Sequence, residues 1–559
     1  MQKKILIPIL CGLFCLPLCD CGRKGVEMEN QKFQQMAYEF LQGLYQAHPV
    51  WATDIGEHQY DDLIDDYSQR AIQEEILRLR LYMDRMKSID TLKLDAVNQV
   101  DYKILQNEIA DQLLRYEELR PYQNSPVMYS RLIGEAMNSL ISRDFAPLGS
   151  RLAHLSNRLM RIPTLVRQAK GNLKNPSQIQ TQTAIRQNRG NISLIQDDLP
   201  KILERLPGMK EPLSRSMEVA LQQLEAYQDF LEKELLPRST GDFRLGKKLF
   251  EKKLKLTLQS DLTSDEIVER AEQEMTAVQK RMFELALPLH EKMFPGRELK
   301  EQGKALESRV IREVLEQIAQ DHPKKDSLLA VCRQDLEEQE RFVRDKDLVD
   351  LTGINPLEVE WEPEFARGVA VAGLDSPGPL DKNLKSFFRV SPLPNDWTKE
   401  QVESYLREYN DFMLKDLCIH EAMPGHYVQG YYDNQFPSLI RTIFGNGAFI
   451  EGWAVYSERM MVKAGYLDHD PRMELTQLKM YLRTVINAIL DAKIQAGNMT
   501  KDQAIALMTE QGFQEKSEAE GKWIRACLTS TQLSTYFVGF QEIMDLEKAY
   551  RANVGENFS

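Results

Sequence analysis

Residues 263–287 read TSDEIVERAEQEMTAVQKRMFELAL, and within them Ile267, Ala271, Met275, Val278 and Met282 recur at three- and four-residue intervals with long charged side chains between. That is the period of an amphipathic helix with one face turned to a core. The same spacing runs through residues 73–86, 152–169, 217–235 and 310–319, so the chain is expected to be mostly α. Stretches with strand character are few. The best are residues 369–372 and 386–390, and Phe387-Phe388-Arg389-Val390 is placed as an edge strand along a cleft, where an extended peptide would pair by main-chain hydrogen bonds. Pro237-Arg238-Ser239-Thr240-Gly241 is the clearest internal punctuation. It separates an expected N-terminal helical lobe, residues 22–237, from a C-terminal lobe, residues 242–559, within one two-lobed body. No repeat of solenoid or propeller length interrupts this pattern.

The C-terminal half carries the chemistry. In His420-Glu421-Ala422-Met423-Pro424-Gly425-His426 two imidazoles flank a carboxylate, the parts of a zinc-hydrolase centre. The usual H-E-x-x-H spacing puts both imidazoles on one helical face. Here the second His comes six residues after the first, roughly 120° around a regular helix and about 9 Å further along it. A straight helix cannot bring both to one ion. Pro424 lacks an N–H and Gly425 tolerates unusual dihedrals, so a break or bulge is predicted at residues 423–425 to fold His426 back. The helix that leads in has a readable start: Thr398 as N-cap, Gln401 completing a capping box, and Trp397 against Val402 as a hydrophobic staple.

A third ligand must come from another element. Residues 449–458 form an apolar helical stretch in which Ile450, Trp453, Ala454, Ser457 and Met461 are spaced as a core-facing stripe. Glu451 and Glu458 lie two turns apart on nearly the same other face, and a carboxylate on so apolar a helix is costly to bury unless paired or bound to metal. Two solvated glutamates near a helix start are the plainer account of the pair.

The pattern H-E-A-x-P-G-H-x-x-Q from His420 to Gln429, followed by E-G-W-A-x-Y-x-E from Glu451 to Glu458, resembles the bacterial domain of unknown function 885 family. Pro49, Ala52, Thr53, Gly56, Tyr60 and Asp61 are similar to that family's N-terminal signature, and Arg525, Gln532, Tyr536 and Gly539 to its C-terminal segment. The resemblance implies a large two-lobed, zinc-peptidase-like helical fold with a deep central cleft and a small β element near the active site. It also implies one zinc ion per chain, with His420, His426 and Glu451 as gluzincin-type ligands and Glu458 supporting them from behind. Two departures stand out. Ser530-Thr531-Gln532-Leu533-Ser534-Thr535-Tyr536 replaces the family's P-G-Q-A-L-S-Y, and Leu490-Asp491 stands where a His often follows a G-L pair.

Such a zinc site keeps a position open for water and lowers its pKa to about 7, with Glu421 as general base. The oxyanion needs a further donor. Tyr536 is the candidate, because related zinc peptidases draw a tyrosine from a Gly-flanked C-terminal segment, and a core tyrosine at a helix contact is the competing account. Arg483 and Arg525 are forks suited to a substrate carboxylate, and ordinary ion pairs explain them equally well. Gln429 and Gln532 complete the set of residues expected to support the site or touch substrate.

Composition bounds the partners. The chain has 559 residues and a net charge of −13, without a clustered positive face, which argues against nucleic acid. Met1-Gln2-Lys3-Lys4, an apolar run from Ile5 to Leu18 and Cys19-Asp20-Cys21 read as a signal segment over residues 1–21, hence an exported protein of the periplasm or envelope. A lipoprotein box wants a small residue before the lipidated Cys, whereas Leu18 and Asp20 precede these two, so lipid attachment and plain cleavage both stay open. Cys332, Cys418 and Cys527 make neither a disulfide framework nor a Cys-type zinc site. Three functions fit: a metallopeptidase of short peptides, a zinc hydrolase of another amide or ester, and a non-catalytic binding lipoprotein.

Overall fold

A computed structural model describes residues 18–362, 372–382, 384–394 and 397–555, with side chains from Lys24 onward. The fold is mostly α with one small three-stranded sheet among the described residues. Residues 1–17 of the expected leader lie outside them, and helix Leu18–Ala47 is the first element described. No helix is long and apolar enough to cross a membrane among the described residues.

The stretch that sets the fold class forms helix Ser264–Met293. Its start is a capping box: Thr263 Oγ1 accepts from the Glu266 N–H at 3.3 Å, and Glu266 accepts from the Thr263 N–H at 2.8 Å. Ile267, Ala271, Val278, Met282 and Ala286 are its buried face, in contact with helix Pro471–Gln495, most of which is buried. Apolar side chains gather in three clusters. The largest runs from Phe250 to Phe540, a second lies within Val50 to Leu235, and a third joins residues of the first helices to Ile440. That last contact carries the later half of the chain back onto the earlier one, reinforced by Asp101, which accepts from Ser438 Oγ and Arg441 Nε at 2.7 Å each.

The sheet comprises β1 (Glu358–Trp361), β2 (Ala372–Asp375) and β3 (Phe387–Val390) in the order β1-β3-β2. β3 pairs parallel to β1 and antiparallel to β2, with Phe388 opposite both Val359 and Leu374. This corrects the placement of Phe387–Val390 as an edge strand. Both its flanks are hydrogen-bonded and Phe388 and Val390 are fully buried, so β2 and β1 are the edges. Of the predicted strand at 369–372, residues 369–371 lie outside the described residues and Ala372 opens β2.

The N-terminal signature residues make a buried polar knot. Thr53 Oγ1 donates to Asp61 at 2.6 Å and accepts from Arg158 at 2.5 Å; Arg158 also donates to the carbonyls of Leu63 and Ala136. Burial lowers the Arg158 pKa to about 10, while the charges of Asp61, Asp65 and Asp62 act to keep its proton. This knot grips the loop after β2. Leu380 N–H donates to the Ile55 carbonyl at 3.0 Å, and His58 Nε2 lies 3.1 Å from Asp381. A Cβ at Gly378 would fall 2.3 Å from the Ile55 carbonyl carbon, so only glycine allows that approach.

Candidate metal centre

Helix Asp411–Glu421 presents His420 on its last turn, and the chain then reverses. The N–H groups of Ala422 and Met423 close on the Cys418 carbonyl, that of Gly425 on the Ile419 carbonyl, and a new helix, His426–Asp433, begins at His426. The break falls where Pro424 and Gly425 predict it. A Cβ at Gly425 would sit 1.9 Å from the His420 carbonyl oxygen, so the fold-back requires a residue without one. Trp453 Nε1 donates to the Pro424 carbonyl at 3.0 Å, and Gln429 Nε2 to the Phe449 carbonyl at 3.3 Å. These two bonds tie the reversal and the His426 helix to helix Gly447–Lys463, which carries Glu451 and Glu458.

The result is a convergence of three side chains. Glu451 Oε2 lies 3.7 Å from His420 Nε2 and 3.6 Å from His426 Nε2, and all three donor atoms fall within 4.8 Å of one another. Donors placed tetrahedrally at zinc bond lengths are about 3.4 Å apart, so this set fits such an ion. His420 Nδ1 is 2.7 Å from Glu458 Oε1, a contact that fixes the ring with Nε2 turned toward Glu451. Burial would pull the His420 pKa down, but Glu451, Glu458 and the charge of Glu421 outweigh it and raise it well above the usual range. Burial would raise Glu451, and the two imidazoles hold it below the ordinary carboxylate range instead. The point between the three donors attracts positive charge.

Glu421 and Glu458 adjoin this cluster. Glu421 accepts from the Leu374 N–H of edge strand β2 at 3.3 Å. Glu458 is buried and also faces Gln477 Nε2 at 3.4 Å. Tyr536 lies on the C-terminal helix Gln532–Val554, which crosses the Glu451 helix backbone to backbone: a Cβ at Gly539 would meet the Ala448 carbonyl oxygen at 1.8 Å. The Tyr536 hydroxyl accepts from Arg525 Nη2 at 3.0 Å and from Gln532 Nε2 at 3.3 Å, and Arg525 also donates to Gln532 Oε1 at 2.8 Å. Arg483 is committed to an ion pair with Glu518.

Two residues escaped the reading of the sequence. Asp416, one turn before His420, is fully buried, and neither of its oxygens has a hydrogen-bond partner among the described residues. Burial and the neighbouring charge of Glu458 push its pKa well above the carboxylate range. Its i−4 spacing from His420 on an apolar helix was the available signal. Lys522, one turn before Arg525, is 5 % exposed, and its charge faces Arg483, Arg525, Glu518 and Glu451.

The two departures from the family pattern turn out to touch. Asp491 accepts from the N–H of Thr531 at 2.9 Å, the N–H of Ser534 at 3.0 Å and the Ser534 hydroxyl at 2.8 Å, capping the helix of Tyr536 from outside. Burial raises the Asp491 pKa to about 6 against the pull of those donors. Thr531 stands at the family's glycine position with φ of +66°, a conformation a β-branched residue rarely adopts.

The family model for "Bacterial protein of unknown function (DUF885)" matches residues 49–559. Among solved structures, one described as "a putative lipoprotein of unknown function" from Shewanella oneidensis is 32% identical with a TM-score of 0.81, covering 94% of this chain and 95% of its own. A second, described as "the putative lipoprotein from Colwellia psychrerythraea", is 17% identical with a TM-score of 0.73, covering 96% of this chain and 94% of its own, and shares the fold. No match is found among curated proteins. With the model spanning nearly the whole chain and a solved relative alike over almost its full length, the protein belongs to the DUF885 family.

Proposed function

We propose that the protein is a zinc-dependent hydrolase of short peptides, with a single zinc ion per chain held by His420, His426 and Glu451. The observation that carries this reading is the meeting of those three donor atoms within 4.8 Å, beside a further carboxylate, Glu421, that is not among them. A purely structural zinc site has four protein ligands and no need of a base next to it.

Zinc, when bound, contributes Lewis acidity that lowers the pKa of water and polarises a carbonyl. The residues supply the rest. Glu421, steadied at Oε2 by the Leu374 N–H, takes the proton of the attacking water and passes it to the leaving amine. Tyr536 stabilises the oxygen that gains charge. Arg525 and Gln532 occupy its two acceptor positions, so its O–H is the bond left to point outward. Glu458 keeps the His420 proton on Nδ1. β2, an edge strand among the described residues, offers main-chain partners to an extended peptide, and a cavity of about 340 Å³ lined by Thr53, Asn138, Arg143, Leu374 and Asp375 gives room beside it. The description of two structural relatives as lipoproteins supports an exported, envelope-attached location.

The test is metal analysis together with digestion of a peptide mixture by wild type and Glu421→Gln. Wild type binds about one zinc per chain and cleaves; the variant keeps the metal and loses roughly 10²–10⁴-fold in turnover. Equal turnover removes Glu421 from the mechanism, and zinc without any cleavage favours a binding lipoprotein.

A further inference from the structure

Lys522 is a buried basic group near the metal centre that the proposed reaction leaves without a task. Half-buried lysines elsewhere among the described residues are partnered. Lys415 meets Asp335 at 2.5 Å and Glu338 at 3.3 Å, Lys479 meets Glu408 at 2.9 Å, and Lys253 donates to the carbonyl and hydroxyl of Ser530 at 2.9 and 2.7 Å. Lys522, at 5 % exposure, makes no hydrogen bond and no ion pair among the described residues. Its acidic neighbours are already engaged, Glu518 by Arg483 and Glu451 by the two imidazoles. Its other charged neighbours, Arg483 and Arg525, have its own sign. Burial and those two guanidinium groups hold its pKa well below the usual lysine range. A buried amine without a partner, set beside two guanidinium groups, is a place that favours an anion.

The neighbours say which anion. Arg525, three residues on along helix Lys516–Leu528, is exposed and uses only Nη2 in its bonds to Tyr536 and Gln532, so Nε and Nη1 remain for a ligand. The group bound there lies between the metal ligand Glu451, which faces Lys522, and Tyr536, which Arg525 touches. For a peptide whose scissile carbonyl is at the metal, the anion closest to that position is the carboxylate of its last residue.

We infer that Lys522 and Arg525 receive the C-terminal carboxylate of the substrate, so that the enzyme releases the final residue of short peptides or splits dipeptides and does not cut within long chains. The inference rests on the hydrolase reading above. Its step is ordinary hydrolysis: water adds across the last peptide bond, the C–N bond breaks, and the free amino acid leaves with the proton delivered by Glu421.

The experiment compares one short peptide as free acid and as C-terminal amide, with zinc-loaded wild type and Lys522→Met. Wild type should favour the acid by at least about 100-fold in kcat/KM, because the amide leaves the buried cation unpaired. In Lys522→Met the acid should lose that advantage, mainly through KM, until the ratio nears one. Zinc content and melting temperature of the variant should match wild type, which separates the anchor from metal retention and folding. If Lys522→Met does not fold, the wild-type ratio alone decides. Equal cleavage of acid and amide by wild type overturns the inference and leaves the hydrolase intact. Cleavage of neither overturns both.

Discussion

Replacing Glu458 by Gln probes what holds His420 in place, at constant side-chain volume. Glu458 is 2 % exposed, with Oε1 2.7 Å from His420 Nδ1 and Oε2 3.4 Å from Gln477 Nε2. An amide has one acceptor and one donor end. If its oxygen stays with His420, its NH₂ opposes the NH₂ of Gln477. If it is reversed, its NH₂ faces Nδ1 and forces the imidazole proton onto Nε2, the atom that must donate a lone pair. A hydrogen bond to a charged group contributes about 1.5–3 kcal/mol against about 0.5–1.5 for a neutral one, so the exchange costs on the order of 1–1.5 kcal/mol. Loss of a partner behind a ligating His typically lowers metal affinity 10- to 100-fold, about 1.4–2.8 kcal/mol. The two estimates meet near a tenfold loss. Zinc affinity measured by competition with a chromophoric chelator should therefore weaken about tenfold. The metal-free variant should melt below wild type at neutral pH, because the charge-assisted bond between Glu458 and His420 is weakened. Unchanged zinc affinity would show that Glu458 does not set the His420 tautomer and would refute the reasoning.

Asp491→Asn should alter how stability depends on pH. The folded-state pKa is raised to about 6 by burial, so the acid's contribution is fully present below the unfolded value near 4 and is lost as pH rises to 6. Melting temperatures at pH 4 and pH 7 should show wild type losing ground to the variant by the equivalent of roughly 3 kcal/mol, and a pH-independent gap would count against the shift. Gly539→Ala should force apart the helices of Glu451 and Tyr536, since the added Cβ falls 1.8 Å from the Ala448 carbonyl oxygen. Overpacking of this kind costs about 1–3 kcal/mol, read as a lower melting temperature with reduced kcat. Gly190→Ala, whose Cβ meets nothing within 4 Å, is the control and should be neutral or slightly stabilising. Identical behaviour of the two variants would dismiss the helix contact as a determinant.

What the sequence made legible was local. The three- and four-residue spacing of Ile267, Ala271, Met275 and Val278 needs no partner to be read, nor does the Thr398 box, whose two hydrogen bonds form at 3.3 and 2.9 Å. The break before His426 was legible because Pro424 and Gly425 are backbone instructions. At the entry to the helix capped by Thr398 the Trp397 ring packs edge-on against Tyr405, 5.2 Å between centroids, a contact one turn beyond the reach of the local pattern. Strand order was out of reach because β1 reaches β3 from nearly thirty residues away and has only four residues to announce itself. Asp416 and Lys522 went unseen because a buried charge looks like any other charge until tertiary packing covers it. Asp491 and Thr531 read as two separate departures from the family pattern, forty residues apart, and only their 2.9 Å hydrogen bond shows that they form one compensated change.

The grip of residues 53–61 on the loop at 378–381 carries a lesson about modularity. The strand rim beside Glu421 is braced by a segment more than three hundred positions earlier, through Ile55, Gly56 and His58. Severing the early helices from the late ones would take away the buttress of the strand rim beside Glu421 while sparing His420, His426 and Glu451. Chimeras that exchange one half between relatives should keep metal and lose substrate alignment unless the Gly56–Asp381 seam is transplanted with them.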